Sequence, residues 1–248
     1  MLDGLLETRR THRKAPLPSP PIKLDAGYRI QDALREKLVA DGARVIGWKA
    51  GLTGRVAQES LGIPHPVSGF LLGDGVYATG EAVPMSRFAE LVVEAEIAFV
   101  MKRDLAGPGV TPATALLAVE GALPALELPD LRWDGNPTGG DLVADGVAGN
   151  AIVLGQPLTP VIGLDLALEG LVYEMSGRIV ATNTAAEVMG NPLNSLAWLA
   201  NNLAERGLGL RAGDIVLSGS ISTLLRPKAG DVVTARFTRL GSVSARFA

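Results

Sequence analysis

Leu91-Val92-Val93-Glu94-Ala95-Glu96-Ile97-Ala98-Phe99-Val100 reads as a strand built for a protein interior, interrupted by two glutamates one residue apart. On a strand, alternate side chains share a face, so Val92, Glu94, Glu96, Ala98 and Val100 project together while Val93, Ala95, Ile97 and Phe99 project the other way. Two ionised carboxylates side by side among apolar neighbours need a neutralising cation, or one of them must take up a proton. A bound metal ion is the simplest remedy. Alternating charges in a strand more often mark a solvated face, but such a face would continue polar on both sides, and here Val92, Ala98 and Val100 flank the pair.

Composition narrows which metal that could be. The chain has 248 residues, 47% hydrophobic and 20% charged, enough to bury a large core. It contains no cysteine and only two histidines, His12 and His65, which excludes disulfides, thiolate chemistry and sulfur-based zinc sites and leaves oxygen as the ligand atom. Magnesium and manganese suit carboxylate oxygens. A net charge of -3 gives no general attraction to nucleic acid. No apolar run reaches the roughly 18 residues that span a bilayer, and the N-terminus lacks the apolar core of a secretory signal. A soluble, cytoplasmic protein is expected, with no nucleic-acid or membrane partner.

Upstream, Arg9, Arg10, Arg13 and Lys14 precede Pro16, Pro18, Pro20 and Pro21, the pattern of a short helix end followed by an extended connector, so residues 1–24 are set apart from a single catalytic domain at 25–248. Asp25 is placed to cap a helix running to about Ala40, ended by Asp41-Gly42. In Val45-Ile46-Gly47-Trp48-Lys49-Ala50-Gly51-Leu52-Thr53-Gly54 a lysine interrupts an apolar strand, and glycines on either side let a ligand or another backbone come close. Lys49 could meet an anion there, or it could be a strand-end lysine reaching water.

Thr111 to Gly121 predicts a helix, and Ala122-Leu123-Pro124-Ala125-Leu126-Glu127-Leu128-Pro129 a short apolar strand whose one charge, Glu127, needs a partner as Glu94 and Glu96 do. Asp130 to Gly149 predicts a long loop returning to the strand Ala151–Gly155. Asn191-Pro192 opens a helix ended by Gly207. Two similar glycine turns, at 211–216 and 228–233, each open a strand. Between them Leu217-Ser218-Gly219-Ser220 ends a strand with small hydroxyl residues and exposed amides able to hold a carboxylate.

Gly47-Trp48-Lys49-Ala50-Gly51-Leu52-Thr53, Glu94-Ala95-Glu96-Ile97-Ala98-Phe99, Leu123-Pro124-Ala125-Leu126-Glu127, Asn191-Pro192-Leu193-Asn194 and Ala212-Gly213-Asp214-Ile215-Val216-Leu217-Ser218-Gly219 together resemble the 2-keto-4-pentenoate hydratase and 4-oxalocrotonate decarboxylase family of the fumarylacetoacetate hydrolase superfamily. The likeness spans nearly the whole chain. It implies an α+β fold, a mixed and strongly twisted β-roll wrapped by helices, assembled as a homo-oligomer. It further implies Mg2+ or Mn2+ on Glu94, Glu96 and Glu127, an active-site lysine at Lys49, and substrate contacts at Lys49, Leu52, Ser218, Gly219 and Ser220. The implied substrates are small 2-hydroxydienoates or their 2-oxo tautomers, formed when aromatic rings are cleaved in catabolism. The activity expected first is hydration of 2-hydroxypenta-2,4-dienoate to a 4-hydroxy-2-oxo acid.

Two positions depart from the family's pattern. Many of its hydratases carry an aspartate where this chain has Val67, and an asparagine and a serine within the stretch that here reads Asp145-Gly146-Val147-Ala148-Gly149. Val67 cannot transfer a proton, so His65 or Asp74 is the expected substitute donor. An apolar residue at Val67 is commoner among the decarboxylases, which makes decarboxylation of 2-oxo-3-hexenedioate the main alternative. Acylpyruvate hydrolysis and an inactive partner that stabilises a related lyase are the further alternatives.

Overall fold

In the computed structural model, which describes residues 1–248, the chain opens with helix α1 (Leu2–Thr11), a two-residue strand β1 (Ala15–Pro16) and the long helix α2 (Leu24–Ala40). Strand β2 (Val45–Gly51) leads through the short helix α3 (Arg55–Leu61) to β3 (Val67–Leu72), β4 (Val76–Ala78) and β5 (Ala82–Val83). Next come β6 (Glu94–Met101), helix α4 (Pro112–Ala118), β7 (Val119–Leu128), the short β8 (Trp133–Asp134), helix α5 (Gly139–Ala144) and β9 (Ala151–Leu154). The hairpin β10 (Gly170–Met175) and β11 (Arg178–Thr184), helix α6 (Pro192–Ala204), β12 (Ile215–Leu217), β13 (Val232–Phe237) and β14 (Gly241–Phe247) complete the chain.

Seven strands form a curled, mixed sheet in the order β3-β2-β12-β6-β7-β9-β4, and five form a second sheet in the order β11-β10-β13-β14-β5. Within the larger sheet β12 runs parallel to β2 and β4 parallel to β9, while the other pairs are antiparallel. This is the expected α+β roll. Its two faces follow the alternation of β6. Ala95, Ile97 and Phe99 are fully buried and join Trp48, Phe70, Leu126 and Val216 in the main core, where burial of each large side chain stabilises the fold by about 2 kcal/mol. The opposite face carries a small apolar cluster of Leu71, Ala98, Ala125, Ile152 and Leu217. Lys49, Glu94, Glu96 and Glu127 share that second face, because Lys49 pairs with Leu217, Leu217 with Ala98, and Glu94 with Glu127.

Three local expectations are corrected. The helix expected over 111–121 begins with a capping box between Thr111 and Thr114 but stops at Ala118, because Val119 pairs with Met101 and draws the chain into β7. The stretch 130–149 is not a plain loop: β8 pairs with β1, and Thr138 and Asp141 cap α5 reciprocally. Asp25 does not cap α2; the N-cap is Lys23, and Asp25 lies in the first turn, where the helix dipole favours an acid. Asn191 does cap α6, accepting the Leu193 N–H at 2.9 Å. At the N-terminus, Leu5 of α1 is buried in the main core. No helix is long and apolar enough to cross a membrane.

Gly47 is required by the close approach of β12 to β2. A Cβ at that position would lie 1.8 Å from the Ile215 carbonyl oxygen, next to a register irregularity in β2. The Gly47→Ala variant should therefore lose at least about 3 kcal/mol in urea denaturation, the upper range for overpacking. A loss under about 1 kcal/mol would show that β12 can move away freely.

Candidate metal centre and active site

The register of β6 and β7 builds the site. Glu94 stands directly opposite Glu127 and Glu96 lies two residues further along the same face, so that one carboxylate oxygen from each falls within 4.8 Å of the others. Glu96 and Glu127 are fully buried and Glu94 half-buried. Lys49 reaches them from β2, two strands away across β12, and makes a buried ion pair with Glu127. It also donates to the Val147 carbonyl at 3.1 Å. The Gly219 N–H donates to Glu96 Oε2 at 2.7 Å.

These contacts do not satisfy the cluster. Glu96 Oε1 and Glu127 Oε2 are buried with no hydrogen-bond partner, and such atoms lose hydration without recompense. Lys49 compensates only part of the charge. A divalent cation bound by hard oxygen donors fits both deficits, and Glu94, Glu96 and Glu127 are the residues that could hold it.

The proton affinities record the same crowding. Burial, then the Glu127 carboxylate, push Glu94 up to about 7, with Lys49 opposing. Glu96 is raised well above the ordinary range by burial and then by Glu127 and Glu94, with Lys49 and the Gly219 N–H pulling the other way. For Lys49, burial acts to lower the pKa, but attraction to Glu127, Glu94 and Glu96 outweighs it and the net direction is upward. That direction favours the charged, donating form of Lys49.

The carboxylates and Lys49 lie in a pocket of about 480 Å³. Leu52 and Ser220, both expected to contact substrate, line it. Gly219 acts through its amide, at φ +116, packed so closely on Thr53 that a Cβ would lie 2.3 Å from Thr53 Oγ1. Ser218 does not line the pocket: it is fully buried, and its carbonyl accepts the Ser195 hydroxyl at 2.6 Å. His65 and Asp74 are not brought to the carboxylates either. His65 sits in a separate cleft beside Trp198, ring centroids 6.4 Å apart, with Nδ1 2.7 Å from the Pro66 carbonyl oxygen. Asp74 is exposed on the turn after β3, 3.6 Å from Arg87. Val67, also buried, packs against Val143 and Val147, so no titratable group occupies its place.

Other lining residues escaped the sequence reading. Asn183 and Glu187 arrive from the end of β11 and the turn after it, an element of the other sheet, and nothing local marks them. The Val147 carbonyl is backbone, which leaves no trace in residue type. Only Leu52, Val147 and Ala148, at φ +55, +56 and +55, single out these segments, and φ is not legible in a sequence.

The model of the fumarylacetoacetate (FAA) hydrolase C-terminal family matches residues 47–248. The 2-keto-4-pentenoate hydratase of Paraburkholderia xenovorans (strain LB400) is 38% identical over 230 residues, 92% of this chain and 85% of that protein. The 4-oxalocrotonate decarboxylase of Pseudomonas sp. (strain CF600) is 35% identical over 231 residues, 92% of this chain and 87% of that one. Among solved structures, the 4-oxalocrotonate decarboxylase from Pseudomonas putida G7, complexed with magnesium and adipate, superposes with a TM-score of 0.96 at 30% identity, covering 100% of this chain and 95% of that one.

Glu94, at about 7 in the folded chain against an ordinary 4.5, binds its proton more tightly folded than unfolded. Its contribution thus favours folding below pH 4.5 and is lost as pH rises through 7. The metal-free protein should melt at a lower temperature at about pH 8 than at about pH 5.5, and Mg2+ or Mn2+ should restore more at the higher pH, where the ligands have shed their protons. Equal metal-induced shifts at both pH values, measured by scanning fluorimetry against EDTA controls, would exclude this cluster as the binding site.

Proposed function

The chain belongs to the fumarylacetoacetate (FAA) hydrolase C-terminal family, and on that premise we propose that it is a divalent-metal-dependent lyase that hydrates 2-hydroxypenta-2,4-dienoate-type acids to 4-hydroxy-2-oxo acids. The observation that carries the reading is the buried cluster of Glu94, Glu96 and Glu127, with two unpaired carboxylate oxygens and Lys49 beside them, opening into one pocket. Glu94, Glu96 and Glu127 hold Mg2+ or Mn2+. When bound, the cation would supply Lewis-acid polarisation of a 2-oxo acid, favouring charge on its oxygen.

The chain's own groups do the rest. Lys49 has three N–H donors; Glu127 and the Val147 carbonyl take two, which leaves one for a substrate carboxylate or enolate oxygen. Gly219 keeps Glu96 oriented through its amide, and Leu52, Thr53 and Ser220 wall the pocket. Lys49 is the one cation among the lining residues, and Glu187 adds a further acid. A substrate with a single carboxylate fits that charge pattern better than a dicarboxylate. Catalysis is assigned to residues 25–248 as one domain, in a cytoplasmic homo-oligomer whose contacts would cover exposed apolar side chains such as Ile162, Leu168 and Ile179.

Decarboxylation of 2-oxo-3-hexenedioate is the second reading, favoured by Val67. Its buried apolar setting offers no proton donor, and loss of carbon dioxide needs none before the bond breaks.

Purified protein with Mn2+ should convert enzymatically generated 2-hydroxypenta-2,4-dienoate to 4-hydroxy-2-oxopentanoate, identified by NMR. Carbon dioxide release from 2-oxohex-3-enedioate, with the dienoate untouched, would reverse the ranking. Glu94→Ala should weaken Mn2+ binding at least tenfold, roughly the loss seen when even a supporting group of a ligand is removed. Lys49→Met should keep the metal and lose about a hundredfold or more in kcat. Unchanged turnover in Lys49→Met would remove Lys49 from the mechanism.

A further inference from the structure

Helix α1 precedes residues 47–248, the part matched by the family model, yet one of its side chains reaches the segment that presents the Val147 carbonyl to Lys49. Arg9 is 10% exposed and lies over the Phe70 ring, 5.5 Å from its centroid. Its Nη2 donates to the Asp145 carbonyl at 2.6 Å and to Asp145 Oδ1 at 3.4 Å, and its Nη1 donates to the Gly149 carbonyl at 3.3 Å. Arg132, buried on the other side, donates to Asp145 Oδ2 at 3.0 Å, the Gly149 carbonyl at 3.2 Å and Asn150 Oδ1 at 2.9 Å, and its Nε lies 3.2 Å from Asp130 Oδ2. Two guanidinium forks thus grip both ends of the segment 145–149.

Between the gripped ends, Gly146, Val147 and Ala148 take φ values of +75, +56 and +55. For a residue with a side chain the left-handed region costs roughly 1–2 kcal/mol, and it persists where the surroundings over-determine it. The outcome of this conformation is the Val147 carbonyl aimed at Lys49 Nζ at 3.1 Å. Gly69, paired with Lys49 across β2 and β3, leaves the space: a Cβ there would lie 2.5 Å from the Gly146 carbonyl oxygen. Burial and Arg132 pull Arg9 down to about 10, so it stays charged at neutral pH.

We propose that Arg9 is a positioning residue for Lys49: together with Arg132 it fixes the strained segment 145–149, and the Val147 carbonyl then sets where the Lys49 ammonium stands. The N-terminal helix on this account supports the catalytic domain from outside it, by holding the segment that orients Lys49. The proposal rests on Lys49 being an active-site group, as read above. Arg9 is the informative half of the clamp, because Arg132 is 1% exposed and its loss would take the ion-pair partner from buried Asp130 and leave Asp145 with Arg9 alone.

The test is made on the full chain labelled with 15N-lysine, the Lys49 side-chain resonance being assigned by its absence in Lys49→Met. In metal-free wild-type protein this ammonium signal should exchange slowly. In Arg9→Ala it should shift or broaden, and added guanidinium should restore it. With Mn2+ and substrate, Arg9→Ala should lose about tenfold or more in kcat, the scale expected for a displaced catalytic group, while KM and Mn2+ affinity stay within about twofold. An unchanged Lys49 signal in folded Arg9→Ala overturns the proposal, as does a kcat loss that only parallels loss of Mn2+ binding. Should Arg9→Ala fail to fold, Arg9→Lys keeps the charge but not the fork, and a wild-type Lys49 signal there overturns it equally. Absence of turnover by wild-type protein on either acid would count against the lyase reading alone, since the resonance still decides the positioning.

Discussion

Mutual repulsion among Glu94, Glu96 and Glu127 is the constraint to which the rest of the structure answers. Three carboxylates that each place an oxygen within 4.8 Å of the others, two of them fully buried, would each lose several kcal/mol of hydration if left ionised and alone. The chain lessens that cost in several ways. Lys49 pairs with Glu127, the Gly219 amide bonds Glu96, and Glu94 and Glu96 bind protons more readily than exposed glutamates do. None of these satisfies Glu96 Oε1 and Glu127 Oε2. The metal-free centre is therefore an arrangement held together by the fold against its own charge, which is how a preorganised cation site is built. Neutralising the glutamates would also remove the attraction that keeps Lys49 above its ordinary pKa, so metal binding and the lysine's acidity are linked.

Holding such a cluster requires stiffness, and the sheet supplies it. Glu94 and Glu127 are fixed opposite each other by the β6–β7 ladder, and the small cluster of Ala98, Ala125, Ile152 and Leu217 fills the same face alongside them. Lys49 is carried by β2, held to β12 at Gly47 where no side chain fits. The surrounding segments are less regular. Leu52, which lines the pocket, and Val147, whose carbonyl accepts from Lys49, are left-handed without being glycine, a local strain that persists where the surroundings over-determine it. Asn183, on β11 of the five-stranded sheet, and Glu187, in the turn that follows it, also line the pocket.

Much of this was legible in residue order because strands report their faces. The run from Leu91 to Val100 disclosed which side chains enter the main core and which share a face with the two glutamates, and Glu127 stood out as a lone charge in an apolar strand. What the sequence could not show was which elements meet across long separations. Asn183 comes from the other sheet and Glu187 from the turn after it, and the Val147 carbonyl has no signature in residue type. His65 and Asp74 looked eligible as proton donors because both titrate and lie near Val67 in sequence; the chain direction through β3 carries them to other surfaces. Ser218 likewise stands outside the pocket's lining: it follows the last residue of β12, is fully buried, and its carbonyl accepts the Ser195 hydroxyl.

Two opposing arguments meet at the choice of reaction. The buried Val67 denies hydration a side-chain proton donor, and a positioned general acid is commonly worth 10²–10⁴ in rate. The side-chain charge of the pocket opposes a second substrate carboxylate, since Lys49, already paired with Glu127, is the one cationic side chain in its lining and Glu187 stands on its wall. An uncompensated pair of like charges at 4 Å costs about 1 kcal/mol in water and about 4 kcal/mol near a protein surface. The two deficits are of similar size but not equally repairable. Water has access to a pocket of about 480 Å³ that is lined by several hydroxyl residues, and a bridging water can relay a proton in place of a missing side chain. Water cannot supply a missing positive charge. The balance supports a monocarboxylate substrate, and with it hydration.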